Sequence, residues 1–222
     1  MATAVAAERD AVARAIDAAP PEFRPALDCV AVGVGPAAAA AGTATALTTA
    51  ALRGEPYGLV VSAGIGGGFQ PAAPVGSLVV ADAIVAADLG AETGEGFLPV
   101  TELGFGTVTH TPPAALVRAA AAACGARTGT VLTVSTVTGT ARRAAELSGR
   151  HPGAVAEAME GFGVAEAAAA HGVPVLEVRA VSNPVGPRDR AAWRIGDALA
   201  ALTGAFTRLA PVLATEPDEE SP

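Results

Sequence analysis

The stretch that decides the fold is residues 156–197, AEAMEGFGVAEAAAAHGVPVLEVRAVSNPVGPRDRAAWRIGD. A helix is predicted over 160–171, and Gly172 is expected to end it because glycine readily adopts the left-handed conformation of a helix terminus. The nearly continuous apolar run at 173–181 predicts a buried strand. The Ser-Asn-Pro sequence at 182–184 is expected to break that strand.

The rest of the chain alternates between helix-like and strand-like patterns. Helices are predicted over 6–18, 36–52, 112–124 and 197–213, and strands over 28–34, 57–63, 75–85 and 130–137. This alternation predicts a layered α/β fold, and the Gly-rich and Thr/Val-rich strands in the middle favour a mixed sheet. Ligands of open α/β sheets bind outside the carboxyl ends of strands, so Asn183 is expected at a ligand site, with Glu160 nearby.

The length of the chain, 222 residues, is sufficient to bury a full hydrophobic core. We expect residues 1–214 to form a single catalytic domain and the acidic residues 215–222, TEPDEESP, to be disordered. No apolar run approaches the length of about 20 residues that a membrane span needs. The charges within the first ten residues do not fit a signal peptide, so a cytoplasmic protein is expected.

The charged residues and potential metal ligands exclude several classes of function. The formal net charge is −8, whereas binding to a nucleic-acid backbone needs a basic face. All 14 basic residues are arginine, which excludes a lysine Schiff base, a pyridoxal phosphate lysine and the lysine of a phosphate-binding P-loop. The two cysteines and three histidines show no ligand spacing, so no metal site is expected.

The first predicted helix carries an unusual carboxylate. Glu8, Val12 and Ile16 recur at every fourth position and therefore share one face. A glutamate in line with an inward apolar stripe is compatible with a functional group. It is equally compatible with a first-turn glutamate that the helix dipole favours. The spacing alone leaves both interpretations open.

Two glycine-rich segments follow predicted strands. The segment 33–38, GVGPAA, fits the dinucleotide fingerprint G-x-G-x-x-A. However, the acidic residue expected about 20 positions later, Glu55, precedes the next strand instead of ending it, so a tight strand-to-helix turn is the favoured interpretation. The segment 64–68, GIGGG, is predicted to form a turn where the backbone can approach a ligand closely.

Three motifs resemble the nucleoside phosphorylase and methylthioadenosine nucleosidase superfamily. They are Ala-x-x-x-Glu at 4–8, the Met-Glu pair at 159–160 with its Ala-rich helix, and Arg-Ala-Val-Ser-Asn at 179–183. The resemblance covers nearly the whole chain, and its specificity is concentrated in 156–197. It implies a three-layer fold, with a twisted mixed sheet flanked by helices. It also implies a homo-oligomer and no cofactor.

The resemblance implies roles for individual residues around the sugar of a nucleoside substrate. Glu8 would be the general base that activates the attacking water. Glu160 would accept hydrogen bonds from the ribose 2′ and 3′ hydroxyls, and Met159 would pack against the sugar. The amides of Gly66 and Gly67 would contact the substrate.

The purine is expected, on the same resemblance, to be held by backbone groups of Val137 and Thr138. One position departs from the superfamily pattern. Where relatives often have a hydroxyl residue, this chain has Ile65. The departure removes one polar contact and weakens the case for phosphate binding.

Asn183 and the residues after it point to a narrower group. The segment 185–197, VGPRDRAAWRIGD, resembles the futalosine hydrolases, which release hypoxanthine from futalosine in an alternative menaquinone route. Adenine-specific relatives carry Asp where this chain has Asn183, and Asn cannot give up a proton. Its NH2 group can donate to N7 and O6 of a 6-oxopurine, so hypoxanthine is the predicted leaving base. Alternatively, Asn183 only shapes the turn before Pro184.

Three arginines crowd the same segment. Arg188, Arg190 and Arg194 accompany Trp193, and an arginine could read the carboxylated aryl group at the 5′ end of futalosine. They could equally anchor a helix or a subunit contact, and no single arginine is favoured. Asp189 is expected to cap a helix that starts beside it.

The favoured hypothesis is therefore an enzyme, a purine nucleoside N-ribohydrolase of the futalosine hydrolase type. A phosphorylase or nucleosidase acting on inosine-like or methylthio-nucleosides is a second possibility. A third is a nucleotide-binding module without turnover, which would use Gly33 and Gly35. A fourth is an inactive relative, because a short first strand could misplace Glu8.

Overall fold

The computed structural model describes residues 1–214. Residues 215–222, for which disorder was predicted, lie outside the described part of the chain. The helices and strands follow in the order β1 Ala2–Thr3, α1 Ala6–Ala18, β2 Val30–Ala31, α2 Pro36–Leu52, β3 Val60–Gly68, β4 Leu78–Ala86, β5 Gly90–Thr93, β6 Gly96–Pro99, β7 Thr109–His110, α3 Ala114–Cys124, β8 Arg127–Thr133, α4 Ala141–Arg150, β9 Ala154–Ala158, α5 Gly161–Ala170, β10 Val175–Pro184 and α6 Ile195–Ala214.

Five strands of the central sheet close into a ring. Strands β10, β4, β8, β9 and β3 are neighbours in that order, and β3 also pairs with β10. The pairs β3–β10, β4–β8 and β8–β9 are parallel, whereas β4–β10 and β3–β9 are antiparallel. The short strands β1 and β2 extend the sheet from β3. The predicted mixed sheet is therefore confirmed.

Helices cover the sheet on two sides. Helices α1, α3 and α6 share a buried cluster with strand residues, to which Val12, Val117 and Phe206 contribute. Helices α2 and α5 share a second cluster, which includes Leu47 and Val164. This arrangement confirms the predicted α/β class with helices flanking a mixed sheet.

The glycine-rich residues 64–68 do not form the predicted turn. They continue β3, which pairs with β10 on one side and with β9 on the other. Strand β10 likewise continues through the Ser-Asn-Pro sequence to Pro184, with a register shift between Val181 and Asn183. Such a bulge re-aims side chains without ending the strand. Pro184 is tolerated because it is the last residue of β10.

Two structured regions were not predicted. Strand β9, AVAEA at Ala154–Ala158, is rich in alanine and carries a glutamate, so its composition resembles that of the helix after it. Strands β5 and β6 form a hairpin in a part of the chain for which no helix or strand was predicted. In both cases pairing with a neighbouring strand outweighs local propensity.

Helices α2 and α5 approach closely through a glycine. A Cβ atom on Gly163 would lie 2.0 Å from the carbonyl oxygen of Pro36, so no larger residue fits there. Gly172 follows α5 with a φ of 67°, as predicted for a glycine that ends a helix. The close contact fixes the start of α5, and with it Glu160, relative to the start of α2.

Helix α6 is long and apolar enough to cross a membrane, with a mean hydropathy of 1.2. One of its faces packs in the core through Leu202, Phe206 and Leu209. A core helix of a soluble protein passes the same length and composition test. Of the apolar window of α6, 33% is buried, so packing in the core accounts for part of its apolar character.

Candidate active site

Glu8 is held at the point where α1 meets the sheet. Its side chain is buried, and Oε2 accepts hydrogen bonds from the backbone N–H of Ala4 at 3.0 Å and of Val5 at 3.4 Å. Oε1 accepts the N–H of Ile65 at 2.9 Å. The capping interaction of a first-turn glutamate is thus present, and the same carboxylate also reaches β3. The two interpretations of Glu8 are compatible with each other.

Arg179 forms the centre of a buried polar cluster next to Glu8. Its Nε donates to Oε1 of Glu177 at 2.8 Å, and its Nη2 donates to Oγ of Ser62 at 2.9 Å. Nη1 lies 3.4 Å from Oε2 of Glu160. Burial alone would lower the pKa of Arg179, but the carboxylates of Glu177, Glu160 and Glu8 raise it above its ordinary value. The guanidinium therefore remains charged.

Because residue 64 is glycine, the side chains of Glu8 and Arg179 can approach each other beside β3. A Cβ atom on Gly64 would lie 2.6 Å from Arg179 Nη1 and 2.6 Å from Glu8 Oε1. Both side chains therefore occupy the space beside β3 that a side chain at this position would take. The requirement for glycine here comes from packing, since no left-handed φ is recorded at this residue.

Glu160 lies between the starts of two helices. It immediately precedes α5, and its buried Oε1 accepts the N–H of Gly35 at 3.2 Å. Gly35, with a φ of 84°, precedes Pro36 at the start of α2. This N–H is one that a dinucleotide site would use for pyrophosphate, so its bond to a carboxylate disfavours such a site. The 33–38 motif forms a tight strand-to-helix turn.

Asn183 lies near the end of β10, beside the Ser182 bulge. The hydroxyl of Ser182 donates to Asn183 Oδ1 at 2.8 Å, and Asn183 Nδ2 donates to the carbonyl of Pro184 at 3.0 Å. An amide NH2 group carries two hydrogens, so one N–H remains for a ligand. The hydroxyl of Ser182 also lies 3.2 Å from the carbonyl oxygen of Gly66, and its one hydrogen can be donated to only one of these two acceptors at a time.

Gly66 and Gly67 lie in β3 next to Asn183. Gly67 is paired with Asn183 on one side and with Glu157 on the other. A Cβ on Gly66 would lie 2.7 Å from the carbonyl oxygen of Glu157, and a Cβ on Gly67 would lie 3.3 Å from Asn183 Nδ2. Successive residues of a strand face opposite sides, so Gly67 leaves the backbone without a side chain next to Asn183, whereas Gly66 does so next to the backbone of Glu157.

Thr138 has a partner that the sequence did not indicate. Its N–H donates to Oε1 of Glu157 at 2.9 Å, and its hydroxyl donates to Oε2 of the same carboxylate. Of its backbone polar groups, only the carbonyl is then left for a purine. The neighbouring Val137 is 40% exposed, and Met159 is half-buried between β9 and α5. Both remain accessible to a ligand.

The arginines after β10 lie at the surface of the protein. Arg194 pairs with Asp197 at 2.5 Å, and the guanidinium of Arg188 lies 5.7 Å from the ring centre of Trp193. Asp189 Oδ1 accepts the N–H of Ala191, but it caps a single 3-10 turn instead of the predicted helix start. The backbone N–H of Arg188 donates to the carbonyl of residue 139, which brings this segment next to Thr138.

Sequence reasoning did not assign roles to Ser62, Glu157, Glu177 or Arg179. The sequence nevertheless contains a pattern that indicates a role for two of them. Glu177 and Arg179 interrupt an otherwise apolar strand and, two positions apart, they share one face. Two opposite charges on one face of a buried strand predict an ion pair. Within residues 1–214, no group of three or more His, Cys, Asp or Glu side chains is placed to hold a metal ion.

A cavity of about 280 Å³ lies away from these residues, between α2, α5 and the ends of β4 and β8. It is lined by Pro36, Ala37, Ala40, Ala86, Asp88, Leu89, Thr133, Ser135, Phe162, Gly163 and Glu166. The apolar side chains of Val34 and Phe105 are 56% and 62% exposed. Glu8, Arg179 and Glu160 do not line the cavity, but Pro36 and Phe162 in its wall lie next to or near Gly35 and Glu160 in the chain.

The buried carboxylates, the glycine strand and the sheet topology define a protein of the nucleoside phosphorylase type. The family model described as the phosphorylase superfamily matches residues 29–214, and the chain belongs to this family. A protein named futalosine hydrolase from Streptomyces coelicolor (strain ATCC BAA-471 / A3(2) / M145) is 76% identical over 223 residues, covering 96% of this chain and 95% of the relative. A futalosine hydrolase from Acidothermus cellulolyticus is 46% identical, covering 93% of this chain and 88% of the relative.

Solved structures share the fold. The 5′-methylthioadenosine/S-adenosylhomocysteine nucleosidase of Neisseria meningitidis, in complex with methylthio-immucillin-A, matches with a TM-score of 0.76 and 16% identity. The match covers 95% of this chain and 97% of the other. The native futalosine hydrolase of Helicobacter pylori matches with a TM-score of 0.73 and 14% identity, and the match covers 95% of this chain and 96% of the other. The predicted nucleoside phosphorylase-like fold is confirmed.

Proposed function

We propose that this protein is a purine nucleoside N-ribohydrolase that splits futalosine into hypoxanthine and dehypoxanthine futalosine, within menaquinone biosynthesis. The observation that carries the proposal is the pair of buried carboxylates, Glu8 and Glu160, which both lie near the guanidinium of Arg179, with Glu8 also against β3. The named relatives at 76% and 46% identity over nearly their whole length support the choice of substrate.

The attacking water is deprotonated by Glu8. The carboxylate is fixed by backbone N–H groups from two elements, those of Ala4 and Ile65, so its orientation does not depend on a mobile partner. The water oxygen bonds to C1′ of the ribose as the C1′–N9 bond breaks, and the bond electrons leave with the purine. The water proton passes to Glu8, which acts as general base, and Glu8 then releases it to solvent. The departing hypoxanthine anion takes up a proton from solvent to become neutral hypoxanthine.

The ribose is held by Glu160. Its carboxylate accepts the 2′ and 3′ hydroxyls, while Arg179 and the N–H of Gly35 keep it in place. Met159, one residue before it, packs against the sugar. Holding the sugar in register lowers the entropic cost of reaching the transition state.

The leaving purine is recognised by Asn183, whose remaining amide N–H donates toward N7 and O6 of hypoxanthine. Donation to the base stabilises the negative charge that develops as it leaves. The absence of side chains at Gly66 and Gly67 lets the substrate approach the backbone amides of β3. Val137 and the free carbonyl of Thr138 contact the base from the other side.

The enzyme is proposed to act as a homo-oligomer in the cytoplasm, with residues 1–214 as one catalytic domain. Exposed apolar side chains at Val34, Leu89 and Phe105, of which Leu89 also lines the 280 Å³ cavity, support association with a second copy. A molar mass of one chain, about 22 kDa, in light scattering at micromolar concentration would contradict the oligomer.

The test of the activity is chromatographic detection of free base from futalosine, inosine and methylthioadenosine, each with and without phosphate. Hypoxanthine from futalosine without phosphate is expected. Release that requires phosphate would instead establish a phosphorylase, for which Ile65, at a position where relatives often have a hydroxyl residue, gives no support. Release of no base from any substrate would overturn the proposal.

A further inference from the structure

Glu177 is a buried carboxylate that the proposed mechanism does not use. It lies in β10 and is fully buried, and its Oε1 accepts the Nε–H of Arg179 at 2.8 Å. Its Oε2 is also buried and has no hydrogen-bond partner within residues 1–214. Burial raises the pKa of Glu177, and the charge of Arg179 opposes that rise. Replacing a buried ion pair by apolar residues is often neutral or stabilising, so stability alone does not explain this glutamate.

Glu177 fixes the guanidinium group that contacts Glu160. The guanidinium of arginine is a rigid plane, so fixing two of its nitrogens determines where the third one lies. Nε of Arg179 is fixed by Glu177, and Nη2 is fixed by the hydroxyl of Ser62 at 2.9 Å. The remaining nitrogen, Nη1, then lies 3.4 Å from Oε2 of Glu160. The geometry of this contact therefore depends on Glu177.

The same carboxylate lies against the backbone beside Glu160. A Cβ atom on Gly161 would lie 2.2 Å from Oε2 and 2.4 Å from Oε1 of Glu177, so both oxygens contact the space next to this glycine. Gly161 is the first residue of α5, and Glu160 is the residue that precedes it. Glu177 thus supports the start of α5 directly, and it reaches the side chain of Glu160 through Arg179.

The distances leave Glu160 able to accept further hydrogen bonds. An ionised carboxylate offers about four acceptor sites. The N–H of Gly35 uses one of them at 3.2 Å, and Arg179 approaches a second at 3.4 Å, which is longer than its 2.8 Å bond to Glu177. Acceptor sites then remain for the two ribose hydroxyls. Without the competing charge of Glu177, Arg179 would be drawn closer to Glu160 and would occupy an oxygen that the ribose needs.

We propose that Glu177 is a positioning residue for ribose recognition, which holds Arg179 and the start of α5 so that Glu160 keeps acceptor sites free for the 2′ and 3′ hydroxyls. The inference rests on the proposed function of Glu160 and deepens it. The competing explanation is that Glu177 only contributes to the stability of the fold. In that case its loss would weaken the binding of nucleosides with and without the 2′ hydroxyl to the same extent.

The experiment is calorimetric binding of formycin B and of its 2′-deoxy derivative. Formycin B is an inosine analogue whose ribose is joined to the base by a carbon–carbon bond, so it is bound without being hydrolysed. The ratio of the affinity for formycin B to that for the 2′-deoxy derivative is expected to fall about 10- to 100-fold in Glu177→Leu, the range for a hydrogen bond to a charged group. Glu177→Gln keeps an acceptor for Arg179 Nε, so it should lower the ratio by only about three- to tenfold.

Val178→Ala is the matched control, because this buried neighbour in β10 faces the opposite side of the strand. The control is expected to lower the thermal stability, since it leaves a cavity in the core. The ratio of the two affinities should nevertheless stay within about twofold of the wild type, because the side chain of Val178 faces away from Glu177.

An unchanged ratio in Glu177→Leu and Glu177→Gln, or an equal fall in Val178→Ala, would overturn the inference. If Glu177→Leu does not fold, the ratio in Glu177→Gln decides alone. Wild-type protein that binds the two nucleosides equally would overturn the proposed role of Glu160 together with the inference. A normal wild-type preference for formycin B with unchanged ratios in the Glu177 variants would overturn the inference and leave the proposed function standing.

Discussion

Arg179 Nη1 lies 3.4 Å from Glu160 Oε2, and both side chains are buried beneath the start of α5. The same guanidinium is hydrogen-bonded to Glu177 at 2.8 Å, so Arg179 forms ion pairs with two carboxylates. Glu177 in turn occupies the space beneath Gly161, where a Cβ would lie 2.2 Å from its Oε2. Through this cluster, the position of Glu160, the proposed ribose-binding carboxylate, depends on the packing of α5 against β10.

Loss of Arg179 should destabilise the fold. Arg179→Met leaves Glu177 buried without its partner, and we expect the free energy of unfolding to fall by about 3–5 kcal/mol. Urea denaturation followed by circular dichroism measures it. The double variant Glu177→Gln with Arg179→Met should be less destabilised than the single variant. A change as small as that of Arg14→Met, at an exposed arginine, would contradict the buried ion pair.

The sequence predicted the helices well, because most of them carry clear signals. Pro36 after Gly35 marks the start of α2, and Gly172 marks the end of α5. Boundaries of α1 at Ala6–Ala18 agree with those predicted. Helix periodicity and its end signals are local, so they can be read from a short window of sequence.

The strands around the candidate site were harder to predict. The continuation of β3 through Gly68 and of β10 through Pro184 depends on pairing between residues more than 100 positions apart. Glycine and proline normally mark turns, and only the neighbouring strands override this signal. The bond between Glu157 and Thr138 was missed for the same reason, since β9 itself was not predicted.

Glu8→Gln should abolish hydrolysis while binding of the free base persists. Gln cannot accept the proton of the attacking water, so kcat for futalosine is expected to fall by at least about 100-fold. Calorimetry with hypoxanthine should give a dissociation constant close to that of the wild type. Asp17→Asn, an exposed substitution in the same helix, is the matched control. Near-normal turnover by Glu8→Gln would mean that another group activates the water.

Gly64→Ala should damage both stability and activity. The new Cβ would lie 2.6 Å from both Arg179 Nη1 and Glu8 Oε1, which is closer than real Cβ contacts, so one of the two side chains must move. We expect kcat/KM to fall at least about tenfold and thermal unfolding to begin earlier. Gly58→Ala is the control, because a Cβ at Gly58 has no neighbour within 4 Å. Equal kcat/KM and equal thermal unfolding of the two variants would contradict the packing argument.

Tyr57, the one tyrosine of the sequence, should titrate abnormally. Its hydroxyl donates to Asp28 at 2.7 Å, and this bond raises the pKa of Tyr57 to about 12. The bond contributes to stability at pH values below the ordinary tyrosine pKa of about 10 and is lost as the pH rises through 12. Absorbance of the phenolate measures the titration directly. Asp28→Asn should bring the midpoint back toward 10, and an unaltered midpoint would refute the assignment.

Asn183→Asp should shift the preference from hypoxanthine toward adenine. An aspartate can accept from the 6-amino group of adenine when ionised and can deliver a proton to N7 when protonated, whereas Asn183 can only donate its amide N–H to N7 and O6. The ratio of kcat/KM for inosine to that for adenosine is expected to fall about 10- to 100-fold. Ser182, which donates to Asn183 Oδ1, can donate equally to an aspartate, so folding should be retained. If the ratio is unchanged, Asn183 shapes the bulge before Pro184 and does not read the base.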